Sequence, residues 1–278
     1  MEGEFAMRAI GWITFGVMLG TAGLFAADTP EPSQAQIDQI IQKFAANEAQ
    51  FAKARENYTY HQTARIQELE PSGTVSGRWE TVSDIVFDAN GKRNEHVTRA
   101  PVSTLSKILL TPEDLEDLRS VQPFVLTTNE LPKYLIRYIG KETLDEIPCY
   151  TFAVKPKKVD PGQRYFEGIV WVDDRDLQIV KSYGRGTGVF KKGNAYPKFE
   201  TYREQIDGKY WFPTYTIANA TLHFPEFDQR IKQTVRYEDY KQFKSSSTIT
   251  FGDEVAPTKE PGKEAPKEAK PAAPAKKP

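Results

Sequence analysis

The spacing of hydrophobic positions changes period at Tyr58. Before it, Ile37, Ile40, Ile41, Phe44, Ala45 and Phe51 recur at helical spacing, with Glu48 on the same stripe, and predict a helix over 34–57. Ser33 is placed to cap that helix and Asp38 lies near its start. The stripe is narrow, so the helix lies on a surface with one face packed. From Tyr58 onward apolar and polar residues alternate. Tyr58, Tyr60, Ala64 and Ile66 form one set; after the Pro71-Ser72-Gly73 turn, Trp79, Thr81, Ile85 and Phe87 form another. Such alternation predicts strands with one buried face. Asp88-Ala89-Asn90-Gly91 reads as a turn, and residues 92–99 continue as a polar strand.

A short second helix follows Thr111-Pro112-Glu113-Asp114, where a cap, a proline at the first helical position and two acids stand in order. Leu115, Leu118 and Val121 share its face and Pro123 stops it. Residues 124–132 read as a flap or linker against the sheet. From there the chain is strand after strand: Tyr134–Ile139, Cys149–Val154, Tyr165–Val172, Leu177–Tyr183, Phe199–Ile206, Lys209–Ile217 and Arg230–Phe243. Asp207-Gly208 between two of them is a strong hairpin signal. Asp173-Asp174-Arg175-Asp176 reads as another tight turn. Consecutive antiparallel strands at this spacing curl into a barrel or half-barrel. The expected class is mainly β with a few helices (α+β).

The two ends read differently. Arg8, an apolar run from Ala9 to Ala27 and the break at Asp28-Thr29-Pro30 make a secretory signal, expected over 1–27 and cleaved after Ala26 or Ala27. An uncleaved anchor helix is the competing reading, since the run is near the minimum of roughly 17 residues for a membrane span. No cysteine stands at the cleavage point, so the chain is not expected to be a lipoprotein itself. The segment 253–278 has six prolines, six lysines, five acids and no aromatic residue, and is expected to be a disordered tail. Between them, 28–252 is expected to form one domain, located in the periplasm or outside the cell.

A formal net charge of −1 argues against nucleic acid as a partner. One cysteine, Cys149, permits no internal disulfide and reads as a small buried apolar residue. His61, His96 and His223 have no neighbours at metal-ligand spacing, so no metal or cofactor is expected. Gly184-Arg185-Gly186-Thr187-Gly188 lacks the lysine of a phosphate loop and reads as a flexible strand connection. Asp173, Asp174 and Asp176 lack the calcium-loop pattern. Asn57-Tyr58-Thr59 and Asn219-Ala220-Thr221 fit a glycosylation acceptor, which matters only in a host that glycosylates. A hydrolase built from carboxylates such as Glu167 and Asp173 is the least favoured reading; no catalytic residue is expected.

Tyr165 to Asp173 followed by Asp176-Leu177-Gln178-Ile179-Val180-Lys181, the hairpin from Phe199 to Pro213, and the closing Val235 to Lys241 resemble the strand motifs of the outer-membrane lipoprotein-sorting, LolA-like family. The Leu144-Asp145-Glu146-Ile147-Pro148 turn departs from it, with Glu146 where glycine is expected. The resemblance implies a curved antiparallel sheet forming a half-open barrel over short helices, with a hydrophobic cavity for acyl chains. It implies a periplasmic carrier or sensor, a monomer whose partners are lipid or lipoprotein acyl chains and an envelope or membrane protein. The alternative is a protein-interaction module of the same fold with a filled core. Trp79, Ile85, Phe87, Tyr150, Phe152, Trp171, Tyr202, Trp211 and Phe212 are the expected cavity residues, and Leu115, Leu118 and Phe124 the expected lid.

Overall fold

The computed structural model describes residues 31–189 and 196–243. The fold described is that of the unit that begins at Ser33. The expected leader over 1–27 and tail over 253–278 lie outside the described residues.

Helix α1 spans Gln34–Arg55 and begins with a capping box in which Ser33 and Gln36 satisfy each other's backbone N–H groups. Ten strands follow: β1 (Tyr58–Leu69), β2 (Val75–Phe87), β3 (Arg93–Arg99), β4 (Tyr134–Leu144), β5 (Ile147–Pro156), β6 (Tyr165–Asp173), β7 (Ile179–Thr187), β8 (Phe199–Gln205), β9 (Trp211–His223) and β10 (Asp228–Gln242). They form one sheet in the order β3-β2-β1-β10-β9-β8-β7-β6-β5-β4. Each neighbouring pair is antiparallel, and the long β1–β10 pairing joins the first hairpins to the end of the meander. The sheet is not closed into a barrel; β3 and β4 are its free edges.

One face is covered. In β1 every second residue from Tyr58 to Glu68 is buried, including Gln62 and Glu68. In β10 the same holds for Gln229, Ile231, Gln233, Val235 and Tyr237. α1 lies against the β4–β9 part of this face, where Phe44, Phe124, Phe152, Phe166, Val170 and Phe199 form a filled core. The opposite face carries a smaller apolar cluster of Cys149, Trp171 and Val180, with Trp211 packed against it.

One local feature differs from the sequence expectation and two refine it. The glycine run is not a connection: Gly184 and Gly186 lie inside β7, paired with Gly168 and Phe166. A Cβ on Gly168 or Gly184 would strike the other strand and the Phe166 ring, so this glycine pair is what lets that ring lie flat on the sheet. The second helix is short. α2 spans Pro112–Glu116, capped by Thr111 and Asp114. It then widens into a π-helical turn, Asp117–Val121, that buries Asp117, Leu118 and Val121. The Leu144–Ile147 turn places Asp145 and Glu146 at φ 44° and 72°, the left-handed region where glycine is favoured.

Candidate functional site

The long connection between β3 and β4 crosses the covered face and is held there by polar contacts. Glu68 is wholly buried at the end of β1. Its carboxylate accepts the backbone N–H groups of Ser106, Lys107 and Ile108 at 3.0, 2.7 and 2.8 Å. Gly77, opposite Glu68 in β2, leaves the space that the carboxylate fills. Farther along, Arg164 donates two bonds to Asp117, Nε at 2.8 Å and Nη2 at 2.5 Å. Burial raises the Asp117 pKa even against the pull of Arg164. Gly186 makes room for the Asp117 carboxylate on β7. Thr201 donates to the Gln122 carbonyl at 2.9 Å, and Arg203 donates to the Phe124 carbonyl. The Phe124 ring stacks on Phe166 at 4.5 Å between centroids. The connection is therefore a strap, fixed from Glu68 to Arg203.

Two cavities flank the strap. The first, of about 340 Å³, is walled by Ile66, Phe199, Leu222 and Ile231 from the sheet and by Ile108 and Leu110 from the strap. Gln122 and Gln233 also line it. They are 3% and 5% exposed, yet Gln122 Oε1 and Gln233 Nε2 have no hydrogen-bond partner. An acceptor and a donor are thus left open in a wall that also carries Lys107, Thr111, Asp114 and Asp117, an expensive arrangement unless water or a ligand completes it. Leu109, 87% exposed, stands at the same cavity.

The second cavity, of about 540 Å³, lies between the strap, the end of α1 and the β1–β3 hairpins. Phe87, Val121, Phe124, Val125, Tyr134 and Phe166 supply its apolar lining, and Arg55, Lys92, Arg93, Arg119 and Arg164 its cations. Glu116 and Glu130 are the acids that line it. A third hollow lies on the opposite face, across β4 to β7, with Leu135, Ala153, Ile169 and Tyr183 among its residues.

Among the expected cavity residues, Phe87 lines the second cavity. Ile85 is wholly buried beneath the strap, with Trp79 and Phe87 packed against its cluster. Phe152 belongs to the filled core against Phe44, and Tyr150 packs beside it. Phe212 sits in a separate cluster with Phe51 and Tyr58. Trp171, Tyr202 and Trp211 are on the opposite face, where Lys181 Nζ sits over both the Trp171 and Tyr202 rings. The expected lid is part of the strap: Leu115 and Leu118 pack on the β1–β2 cluster, and Phe124 lines the second cavity. The nine strand residues are thus divided between two faces, and eight of them fall in four separate clusters. Glu167 pairs with Arg185, while Asp173 holds the turn to Gln178 at the other end of β6, so the two do not meet. No group of three or more metal-ligating side chains occurs among the described residues. No helix among them is long and apolar enough to cross a membrane.

Sequence reasoning passed over Glu68, Gln122, Gln233, Arg55 and Arg203. A signal existed for the first: Glu68 continues the buried parity of β1 after Ile66. A charged residue at an inward position is an anomaly that demands a partner.

No protein-family model matches the chain, and no curated protein matches it. Solved structures do. A DUF1329 family protein from Desulfovibrio piger is 14% identical, over 75% of this chain and 94% of that one, with a TM-score of 0.42. A putative outer membrane lipoprotein-sorting protein domain from Vibrio parahaemolyticus is 12% identical, over 74% and 95%, with a TM-score of 0.35. A LolA superfamily protein from Nitrosomonas europaea is 13% identical, over 74% and 93%, with a TM-score of 0.34.

Proposed function

We propose that this protein is a non-catalytic carrier or sensor of the periplasm that binds the acyl chain of a lipid or lipoprotein beneath its strap. The observation that carries the reading is the first cavity, a mainly apolar chamber of about 340 Å³ under a segment that hydrogen bonds tie down beside the filled core. That volume falls in the range of roughly 300–1,000 Å³ that small-molecule sites occupy. Burial of a chain would yield about 0.8 kcal/mol per CH₂. The strand motifs that resemble lipoprotein-sorting proteins point the same way.

The test is native mass spectrometry of the protein isolated from a periplasm without detergent, followed by titration with a fluorescent fatty acid. We expect a bound mass that extracts as lipid or acylated peptide, and saturable uptake of the probe. Ile231→Trp, which fills the first cavity from β10, should abolish uptake while the fold remains. A bare protein that takes up no probe would overturn the reading. It would favour a second one, an envelope interaction module, for which the hollow on the opposite face beside the free edge β4 offers Leu135 and Ile169 as contact residues.

A further inference from the structure

The second cavity holds more positive charge than the protein neutralises. Arg55 closes α1 with its guanidinium 5.4 Å from the Phe87 ring centre and 5.7 Å from that of Phe51. Its Nε has no hydrogen-bond partner, and among the described residues no carboxylate lies within ion-pair distance of it. The acid that acts on it electrostatically, Glu48, is bonded to Arg203 at 3.1 Å. The half-buried Arg55 and the buried Arg203 therefore depend on one carboxylate, which bonds Arg203 alone. The same imbalance recurs across the cavity. Arg93 and Arg119 both pair with Glu95, at 2.9 and 3.3 Å, and Arg93 Nε is left without a partner. An arginine stays charged at any physiological pH. Of the acids on the lining, Glu116 bonds Ser120 and Glu130 pairs with Lys133, so neither is turned to Arg55.

Beside these cations the lining includes the aromatic rings of Phe87, Phe124 and Phe166. We infer that the second cavity binds the anionic oxygen group of an amphiphile, a phosphate or carboxylate held by the guanidinium groups of Arg55 and Arg93 that line it, with the first carbons of its apolar stem against Phe87 and Phe124. This rests on the proposed function only for the class of ligand and goes beyond it: it places an anionic amphiphile in the second cavity, which shares no lining residue with the first. Phosphate and carboxylate share the chemistry that guanidinium recognises.

The experiment compares dodecyl phosphate, dodecanoate and dodecanol by calorimetric titration, with inorganic phosphate as the chainless control. Both anionic ligands should bind about tenfold or more tightly than the alcohol, as charge-assisted hydrogen bonds require. Whichever of the two binds tighter identifies the source of the anion. Arg55→Gln should erase the preference and leave the alcohol's affinity within about twofold, and Arg55→Lys should restore part of it. A readout that needs no variant is phosphorus NMR of dodecyl phosphate with the unaltered protein. Bound next to unneutralised arginines, its second ionisation should fall below the ordinary value of about 6. Equal binding of all three chains with no response to Arg55→Gln would overturn the inference and leave the acyl-chain reading standing. Failure of every chain to bind would remove both. Inorganic phosphate matching the affinity of dodecyl phosphate would mark a free-anion site and overturn the amphiphile assignment.

Discussion

Arg203 Nη1 lies 3.1 Å from Glu48 Oε1, with both side chains almost wholly out of solvent. This pair joins α1 to β8, and each partner has another task. Glu48 accepts the Ile179 N–H at 3.0 Å, and Arg203 donates to the Phe124 carbonyl of the strap. Burial pushes the Glu48 carboxyl up, against the charge of Arg203 and the bond from Ile179. Breaking a buried pair costs about 3–5 kcal/mol, because a charge is left uncompensated. Glu48→Gln should stand at the upper end of that range, since it strands Arg55 as well as Arg203. Arg203→Met should cost less, because Glu48 can still act on Arg55. A double-mutant cycle by denaturant unfolding measures both. Equal costs would show that Arg55 gains nothing from Glu48.

Glu95 gives the stability a pH dependence of known sign. Burial alone would raise its pKa, but hydrogen bonds and charge from Arg93, with Ser83 and Arg119 beside it, hold it below the ordinary 4.5. A carboxyl depressed in the folded state contributes stability above its unfolded pKa and loses it as pH falls through the folded one. Glu48 and Asp117, both raised, act with the opposite sign, so the wild-type curve mixes the two. The difference between wild type and Glu95→Gln isolates Glu95. We expect the stability gap to be full at pH 7 and to close as pH falls below about 4. A gap that stays constant down to pH 2 would mean that Arg93 and Arg119 do not hold the carboxylate.

The β4–β5 turn carries avoidable strain. Asp145 and Glu146 both have positive φ, and left-handed backbone costs an L residue roughly 1–2 kcal/mol relative to glycine. Type I′ hairpins prefer Asn-Gly at these two positions. Glu146→Gly should therefore stabilise by about 0.5–1 kcal/mol after the extra flexibility of the unfolded chain is counted. That is a rise of about 1–4 °C in Tm for a domain of this size, read by calorimetry. A lower Tm would show that the Glu146 side chain makes a contact worth more than the strain.

The strands were legible because period-two burial is a property of the sequence. β1 and β10 alternate almost without exception, and the Asp207-Gly208 hairpin lies where its residues require. Strand limits were less legible. β7 runs on through Gly184 and Gly186 because the Phe166 ring and the Asp117 carboxylate need those bare positions, a requirement set by residues distant in sequence. The site was the least legible part. Trp171, Tyr202 and Trp211 look like Phe152 and Phe212 in the sequence, and only register decides that they point to opposite faces. A β-bulge between Tyr202 and Arg203 shifts that register, so counting by twos from Phe199 does not carry across to Phe212. The strap could not be placed from sequence, because its anchors are long-range pairs such as Glu68 with Ile108 and Asp117 with Arg164.

Glu68 makes the sharpest statement about the strap. Its buried carboxylate receives three successive backbone N–H groups, those of Ser106, Lys107 and Ile108, and Lys107 and Ile108 also border the first cavity. Glu68→Leu keeps a similar size but removes Oε1, the oxygen that accepts all three of these N–H groups, and leaves them without a partner. The loss of one such bond with burial of the orphan costs about 1–3 kcal/mol. The cost falls on the strap and not on the sheet, because β1 keeps its backbone ladders to β2 and β10 on either side. Hydrogen exchange should therefore show lost protection at 106–108 with little change along β1. If the strap covers the ligand, the same substitution should raise both the entry and the exit rate of a fluorescent acyl probe while changing its equilibrium affinity by a smaller factor. Stopped-flow mixing separates the two rates. Loosened exchange at 106–108 with unchanged probe kinetics would mean that ligand enters elsewhere, with the mouth at Leu109 and Phe224 the next place to test.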